Sequence, residues 1–549
     1  MMSFPDLKPL GDRGLLIEFE EEISPTTNGR VRALARALDE IPGVLETIPA
    51  LRSLLLVLDP LALAVGDLVD QVARLARTLA PDLQGTGRLH DIPVVYGGPS
   101  GPDLEPVADR LGLNVDEVVR VHSAQEYVVY MLGFAPGFPY LGIVPPELRV
   151  SRRPSPRLRV ARGSVALAEA LTGIYPLHTP GGWQIIGRTP RRIYDPEQPD
   201  PLLFRPGDRL RFLPVPDAVF PSDAAPVRRA RRPARPVLEV LEPGLYTTVQ
   251  DCGRLGYRSL GVPASGAMDP LALQVANLLA GNALEAPALE CTAPGPTLRV
   301  LGDTTLVICG ADLSATVDGT DIDLSAPIRL RRGQVLRFGA PRQGMWAYVA
   351  VMGGLDVAPV MGSASTYVPG ILGGVEGRRL MAGDVLGRGE RATRSRAVRP
   401  EMLALPRDGL RVRVIAGPQA EWFSDVGRET LFKHPYTISV QSDRAGIRLQ
   451  GPAIAHKDRA DILSDGVLPG AIQVPAGGQP IVLMPDGPTT GGYPKIGVVA
   501  SVDQRLLAQC RPGMAIHFVP TTVERAVEAW RAVQGELRES LRLDEPSDG

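Results

Sequence analysis

Two distant stretches of this sequence carry the same short motifs in the same order. Gly163-Ser164-Val165-Ala166-Leu167 resembles Gly470-Ala471-Ile472-Gln473-Val474. Gly181-Gly182-Trp183, followed by Gly187, resembles Gly491-Gly492-Tyr493, followed by Gly497. Arg205-Pro206-Gly207 leading to Phe212 matches Arg511-Pro512-Gly513 leading to Phe518, and Arg153, Arg157 and Leu158 match Arg444, Arg448 and Leu449. One such match carries little weight, but four in one order mark two copies of a single β domain. Paired copies commonly pack face to face, which puts the default ligand site in the cleft between them.

The rest of the chain fits around these copies. Residues 13–20 read as a strand, 26–38 as a helix with Val31, Leu34, Ala35 and Leu38 on one face, 51–58 as a buried strand and 65–79 as a second helix. They form a small α/β module over 1–88. Short strands broken by Gly and Pro follow over 89–215, the first β domain, with one helix inserted over either 104–113 or 115–121. Residues 216–236, rich in Pro and Ala and carrying ArgArgAlaArgArg at 228–232, read as a solvated linker. More β structure is expected over 237–410, with a helix over 269–280 that Asp269 caps and Pro270 begins. The second β domain covers 411–520. A helix and tail cover 521–549, opened by a Thr521–Glu524 capping box. The predicted class is α+β and β-rich: a small module, two barrel regions and a C-terminal helix.

Composition narrows the function classes. Hydrophobic residues make up 44% and charged residues 22%, ordinary values for a soluble globular chain. A net charge of −2 and 5% aromatics give no reason to expect a nucleic acid or an anionic membrane as partner. No stretch approaches the roughly 20 apolar residues that cross a bilayer, and residues 1–10 lack the form of a secretory signal. Cys252, Cys291, Cys309 and Cys510 form no CxxC pair, which argues against zinc and fits a reducing cytosol.

Three segments could carry chemistry. The first runs from His122 to Gly142 and contains GlyPheAlaProGlyPhePro. Gly133 and Gly137 permit left-handed backbone and Pro136 and Pro139 fix it, so a preformed ligand loop is expected, with Phe134, Phe138 and Tyr140 on it. His122 nearby is a candidate base or donor, or equally a hydrogen-bonded structural histidine. The second segment, 247–269, holds Gln250, Asp251, Arg254 and Ser265, side chains able to bind a carboxylate and polarise an amide. The third is Asp486-Gly487-Pro488-Thr489-Thr490-Gly491-Gly492-Tyr493-Pro494-Lys495. Paired glycines can form an anion nest, Lys495 suits phosphate and Asp486 suits Mg²⁺. No GxxxxGK[ST], HExxH or GxSxG motif occurs, so any ATP site is non-standard. No lysine sits beside a methionine, so no attached biotin is expected.

These segments occur together in a known family. Residues 11–213 resemble allophanate hydrolase subunit 1 through HisSerAlaGlnGluTyr (122–127), GlyPheAlaProGlyPheProTyrLeuGly (133–142) and ProGlyGlyTrp (180–183). Residues 237–520 resemble subunit 2 through ThrValGlnAspCysGlyArg (248–254), SerGlyAlaMetAsp (265–269), GlySerAlaSerThr (362–366), AspArgAlaGlyIleArgLeu (443–449) and ThrThrGlyGlyTyrProLys (489–495). The resemblance implies a cyclophilin-like β domain in each half. Members resemble the B and C subunits of 5-oxoprolinase, the carboxyltransferase part of urea carboxylase and an inhibitor of a sporulation histidine kinase. The GlyGlySerSer of true amidases and the ATP-grasp and biotin domains of urea carboxylase are missing, so the resemblance implies fused B and C subunits of a cytoplasmic, ATP-dependent 5-oxoprolinase. It further implies a separate LamB/YcsF-like A subunit, a small lactam substrate, ATP with Mg²⁺, and a possible homo-oligomer. Catalysis would then fall to His122, Asp251, Arg254, Asp486 and Lys495. Substrate contacts would fall to the 133–140 loop, Gln250, Ser265 and Thr489–Tyr493. The rival expectations are a kinase inhibitor and a carboxyltransferase acting on another small amide.

Overall fold

The computed structural model describes residues 5–542 apart from 21, 64, 84, 86, 222–231, 390–399, 407 and 408. Most of the expected linker core, with all but Arg232 of the basic run, lies outside the described residues. The run 51–58 is apolar without alternation because its strand, Ser53–Leu58, is buried on both faces. That strand sits inside an antiparallel sheet ordered Asp6–Pro9, Gly14–Glu18, Ser53–Leu58, Val44–Pro49. One face carries Leu15, Ile17, Leu54 and Leu56 against helices Pro25–Leu38 and Val65–Thr78. The other carries Leu16, Leu55 and Val57 onto Leu468 and Val498, near the far end of the chain. Sequence periodicity located two of these strands; the outer two, Asp6–Pro9 and Val44–Pro49, are added by pairing.

Both copies of the β domain close into seven-stranded barrels. Around the first run Leu171–Ile174, Pro139–Gly142, Glu126–Leu132, Arg209–Pro214, Leu89–Tyr96, Gln184–Arg188 and Ser164–Ala168. In the same places around the second run Ile481–Leu483, Gly446–Gln450, Tyr436–Ile438, Ala515–Pro520, Leu410–Ala416, Lys495–Val499 and Ala471–Gln473. In each, the first and last strands pair in parallel. Three of the four sequence matches fall on equivalent positions. Thr189 and Val499 donate to the carbonyls of Gly163 and Gly470, both at 2.8 Å. Gly207 and Gly513, with φ of 93° and 87°, turn the chain into the last strand as only glycine does readily.

The fourth match is not structural. Arg157–Val160 leaves the barrel as a ribbon with Thr179–Gly181, and Leu158 is 92% exposed. Arg448 and Leu449 lie instead in a barrel strand whose counterpart is Pro139–Gly142. Arg153 and Arg157 clamp Asp103, whereas Arg444 binds Asp486 and Glu290, so a shared spacing serves two unrelated ends.

Between the barrels, a six-stranded and a five-stranded sheet pack over Leu238, Leu289, Leu298, Leu306 and Val349. Helix Pro270–Leu279 covers the outer face of the five-stranded sheet, and Asp269 caps it by accepting from the Ala272 N–H at 3.1 Å. The last helix, Val523–Arg542, is capped by Thr522 rather than Thr521: the Arg525 N–H reaches Thr522 Oγ1 at 3.4 Å. No helix among the described residues is long and apolar enough to cross a membrane.

Candidate functional site

The loop from Gly133 to Tyr140 folds on itself. The Ala135 N–H donates to the Gly133 carbonyl at 2.7 Å and the Phe138 N–H to Ala135 at 3.0 Å. Phe134 and Gly137 take left-handed φ of 65° and 73°. Phe138 is held edge-on by Tyr140, Tyr175 and Trp183 at 5.0–5.4 Å between ring centres, while Phe134 stays 43% exposed. Burial pushes the Tyr140 hydroxyl up to about 12, and that hydroxyl hydrogen-bonds Ser464.

Both other segments meet this loop or each other. The Gly137 N–H donates to the Leu260 carbonyl at 3.0 Å, and a Cβ on Gly261 would press on the Ala135 carbonyl at 2.6 Å. The Phe134 N–H donates to Thr490 Oγ1 at 3.3 Å, and a Cβ on Gly133 would overlap that oxygen. The Ser265 N–H donates to the Pro485 carbonyl at 3.2 Å. Arg444 donates to Asp486 at 2.9 and 3.0 Å and to the Gly266 carbonyl at 2.7 Å. The 133–140, 250–269 and 485–493 segments therefore close a triangle between the two halves. Glu46 ties it down from the N-terminal sheet: its carboxylate accepts from the backbone N–H groups of Gly256, Tyr257 and Arg258 and from the Arg258 guanidinium.

Within the triangle most of the expected catalytic groups are already engaged. Asp251 accepts from Ser363 Oγ at 2.6 Å, Ser365 Oγ at 2.5 Å, Gly253 N at 2.8 Å and Ala364 N at 2.6 Å. Three of these donors meet Oδ1 and one meets Oδ2, so Asp251 orders the 362–366 segment. Both oxygens of Asp486 go to Arg444, so it does not fit the expected Mg²⁺ role. No cluster of three His, Cys, Asp or Glu side chains suited to a metal occurs among the described residues. Lys495, expected as the phosphate cation, is fully buried, with its ammonium on both oxygens of Asp465 at 2.6 and 2.7 Å.

His122 lies elsewhere, inside the first barrel. It is fully buried and stacked on Phe212 at 4.5 Å. Thr172 Oγ1 donates to the Ala166 carbonyl at 3.1 Å, so it accepts from His122 Nε2–H at 2.9 Å, leaving Nδ1 to accept from Tyr96 Oη at 2.8 Å. Burial holds the imidazole neutral, with its pKa lowered to about 3. Of the two readings of His122, this buried and fully hydrogen-bonded placement matches the structural histidine.

What remains open is a set of polar atoms. Arg254 is fully buried; its Nε donates to Val360 O at 3.1 Å and Nη2 to Ser365 O at 2.8 Å, while Nη1 has no partner among the described residues. Burial lowers its pKa against the opposing fields of Asp251 and Asp486. Ser265 Oγ, Thr489 Oγ1 and Gln250 Oε1 are likewise buried without a partner among the described residues. Buried polar groups are normally satisfied, so four such atoms on the 250–269 and 485–493 segments, which meet at Ser265 and Pro485, offer donors and acceptors to a polar ligand. Gly491 packs over the Gln473 amide, the Gly492 carbonyl accepts from Ile462 N–H at 2.9 Å, and Tyr493 is 41% exposed beside them.

Two family models match this sequence: carboxyltransferase domain, subdomain C and D, over residues 5–204, and carboxyltransferase domain, subdomain A and B, over 260–520. The 5-oxoprolinase C subunit of Escherichia coli (strain K12) is 41% identical over 295 residues, 53% of this chain and 94% of that protein. The 5-oxoprolinase B subunit of Escherichia coli O157:H7 is 43% identical over 213 residues, 38% of this chain and 96% of that protein. The chain joins the B and C families of 5-oxoprolinase subunits in one polypeptide. The crystal structure of TTHA0988 matches the fused B–C chain with a TM-score of 0.82 at 39% identity, covering 92% of this chain and 99% of that one.

The residues that sequence reasoning missed lie along the seam of the fused B–C chain. Arg444 was visible inside the quoted 443–449 motif, but its partner Glu290 was not. Glu46, Gln419, Ser464 and Asp465 carry no local pattern. Glu46 contacts Tyr257, 211 positions away, and only the assembled fold brings them together.

Proposed function

We propose that this chain is the fused B–C component of a cytoplasmic ATP-dependent 5-oxoprolinase, working with a separate LamB/YcsF-like A subunit. The observation that carries the reading is the near full-length match of each half to a 5-oxoprolinase component, 94% of the C subunit and 96% of the B subunit. The reaction is 5-oxoproline + ATP + 2 H₂O → L-glutamate + ADP + phosphate. A lactam carbonyl is a poor electrophile. Transfer of the γ-phosphoryl group to the lactam oxygen creates a phosphate leaving group. One water then adds at that carbon and breaks the C–N bond, and a second water releases phosphate.

In this reading the 5-oxoproline carboxylate meets Arg254 Nη1 and the Ser265 and Thr489 hydroxyls, atoms that have no partner among the described residues. A guanidinium at a buried site favours a carboxylate strongly. Phe134 and Tyr493 flank the ring, and the 133–140 loop, pinned to Leu260 and Thr490, holds water away from it. Asp251, Asp486 and Lys495 position these segments. The test mixes purified chain, the LamB/YcsF-like protein, ATP and 5-oxoproline. Glutamate and ADP should appear in equal amounts and only when all four are present. Absence of glutamate from the full mixture refutes the reading.

A further inference from the structure

With Lys495 bound to Asp465 and Asp486 bound to Arg444, the segment expected to hold phosphate offers no cation. A cleft elsewhere does. It has a volume of about 480 Å³ and opens on the outside of the first barrel, where Leu89–Tyr96 and Arg209–Pro214 begin, facing the 192–205 segment. Arg88 is exposed in it, and its guanidinium makes no hydrogen bond or ion pair among the described residues. Arg192 forms an exposed ion pair with Asp195 of the same cleft at 3.6 Å, a contact without a hydrogen bond that solvent screens. The other charges in the cleft are committed. Asp208 accepts from the Arg88 and Arg205 N–H groups at 2.8 and 2.9 Å and faces His90 Nε2 at 3.3 Å. Asp200 takes two bonds from Arg205 at 2.6 and 2.7 Å. Ile193, Pro201, Leu202 and Leu203 add apolar surface to the same cleft.

We propose that this cleft binds a nucleoside triphosphate, with the polyphosphate on Arg88 and Arg192 and the base against Ile193, Pro201 and Leu202. The guanidinium fork matches phosphate oxygens, and the volume lies within the range of roughly 300–1,000 Å³ usual for small-molecule sites. The inference rests on the 5-oxoprolinase reading for its choice of ligand. The position fits that role, because the wall of the cleft is the back of the substrate loop. A Cβ on Gly137 would stand 2.7 Å from Leu202 Cδ2. The Tyr194 hydroxyl donates to the Gly370 carbonyl, next to the 365–373 backbone that packs on Arg254. A nucleotide in the cleft would therefore press on both the 133–140 loop and the segment that holds Arg254.

The test is titration calorimetry of ATP and, separately, AMP into the full chain, wild type and the double variant Arg88→Gln/Arg192→Gln. Both side chains are exposed, so the variant should keep the wild-type melting temperature. ATP should bind wild type at least tenfold more tightly than AMP, and the double variant should lose that preference and at least tenfold in ATP affinity. Equal ATP affinity in both proteins, equal ATP and AMP affinity in wild type, or no ATP binding by the chain would each overturn the cleft assignment. Glutamate formation in the four-component mixture judges the reading itself. Glutamate without ATP binding to this chain sinks the cleft alone; ATP binding that depends on both arginines without glutamate sinks the reaction alone.

Discussion

Ser265→Ala and Thr489→Val should move stability and substrate affinity in opposite directions. Both hydroxyls are buried and have no partner among the described residues. Holding an unsatisfied polar group out of water costs about 1–3 kcal/mol, so deleting either oxygen while keeping its Cβ should leave the free protein unchanged or raise its stability by about 1 kcal/mol. In the complex, a hydrogen bond to a charged carboxylate contributes about 1.5–3 kcal/mol. Its loss corresponds to roughly a ten- to hundredfold higher KM for 5-oxoproline, at 1.4 kcal/mol for each factor of ten. Arg254 Nη1 is unchanged in either variant, so kcat should fall much less than KM rises. The assay pairs thermal unfolding of each variant with glutamate production at varied 5-oxoproline. A lowered melting temperature with an unchanged KM would refute the reasoning, because it would mean that the hydroxyls serve the fold and not a ligand.

Glu46→Ala strands the Arg258 guanidinium and three backbone donors, so it should cost about 3–5 kcal/mol and speed amide exchange across 256–262, as hydrogen-exchange mass spectrometry would show; unchanged exchange there would contradict the clamp. Lys495→Met leaves Asp465 buried without a cation and should cost a similar amount, about 3–5 kcal/mol, with most of it recovered by adding Asp465→Leu. A Lys495→Met protein that melts like wild type but fails to turn over would restore Lys495 to the chemistry. His122 titrates at about 3 in the fold against about 6.5 when unfolded. The unfolded chain therefore takes up a proton that the folded one refuses, and stability should fall as pH drops from 6.5 towards 3, by about 1.4 kcal/mol per unit. His122→Gln should lose that component of the pH dependence in chemical denaturation; an identical slope would place the proton uptake elsewhere.

The architecture was legible where local chemistry and repetition coincide. Gly207 and Gly513 were paired from their RPG context, and the left-handed turns they make are the same turn in two barrels. The Asp269–Pro270 helix start could be read from two adjacent residues, because a cap is a local device. Arg157 and Arg448 misled because spacing records neighbours along the chain and not partners in space. The three motif segments could be named in advance, yet the roles of Asp251, Asp486 and Lys495 could not. Each is a charged residue in a glycine-rich turn, which suits a ligand as well as it suits a neighbour. The decision came from Ser363 and Ser365, Arg444, and Asp465, side chains that hold their places only after the sheets close.

The N-terminal sheet finishes its packing on Leu468 and Val498. On the ribosome Leu16, Leu55 and Val57 emerge first and wait for the polymer that will cover them. At 5–20 residues per second that interval is on the order of a minute. A nascent sheet would show one greasy side throughout that interval, and slow elongation would lengthen the risk of misassembly with neighbouring nascent chains.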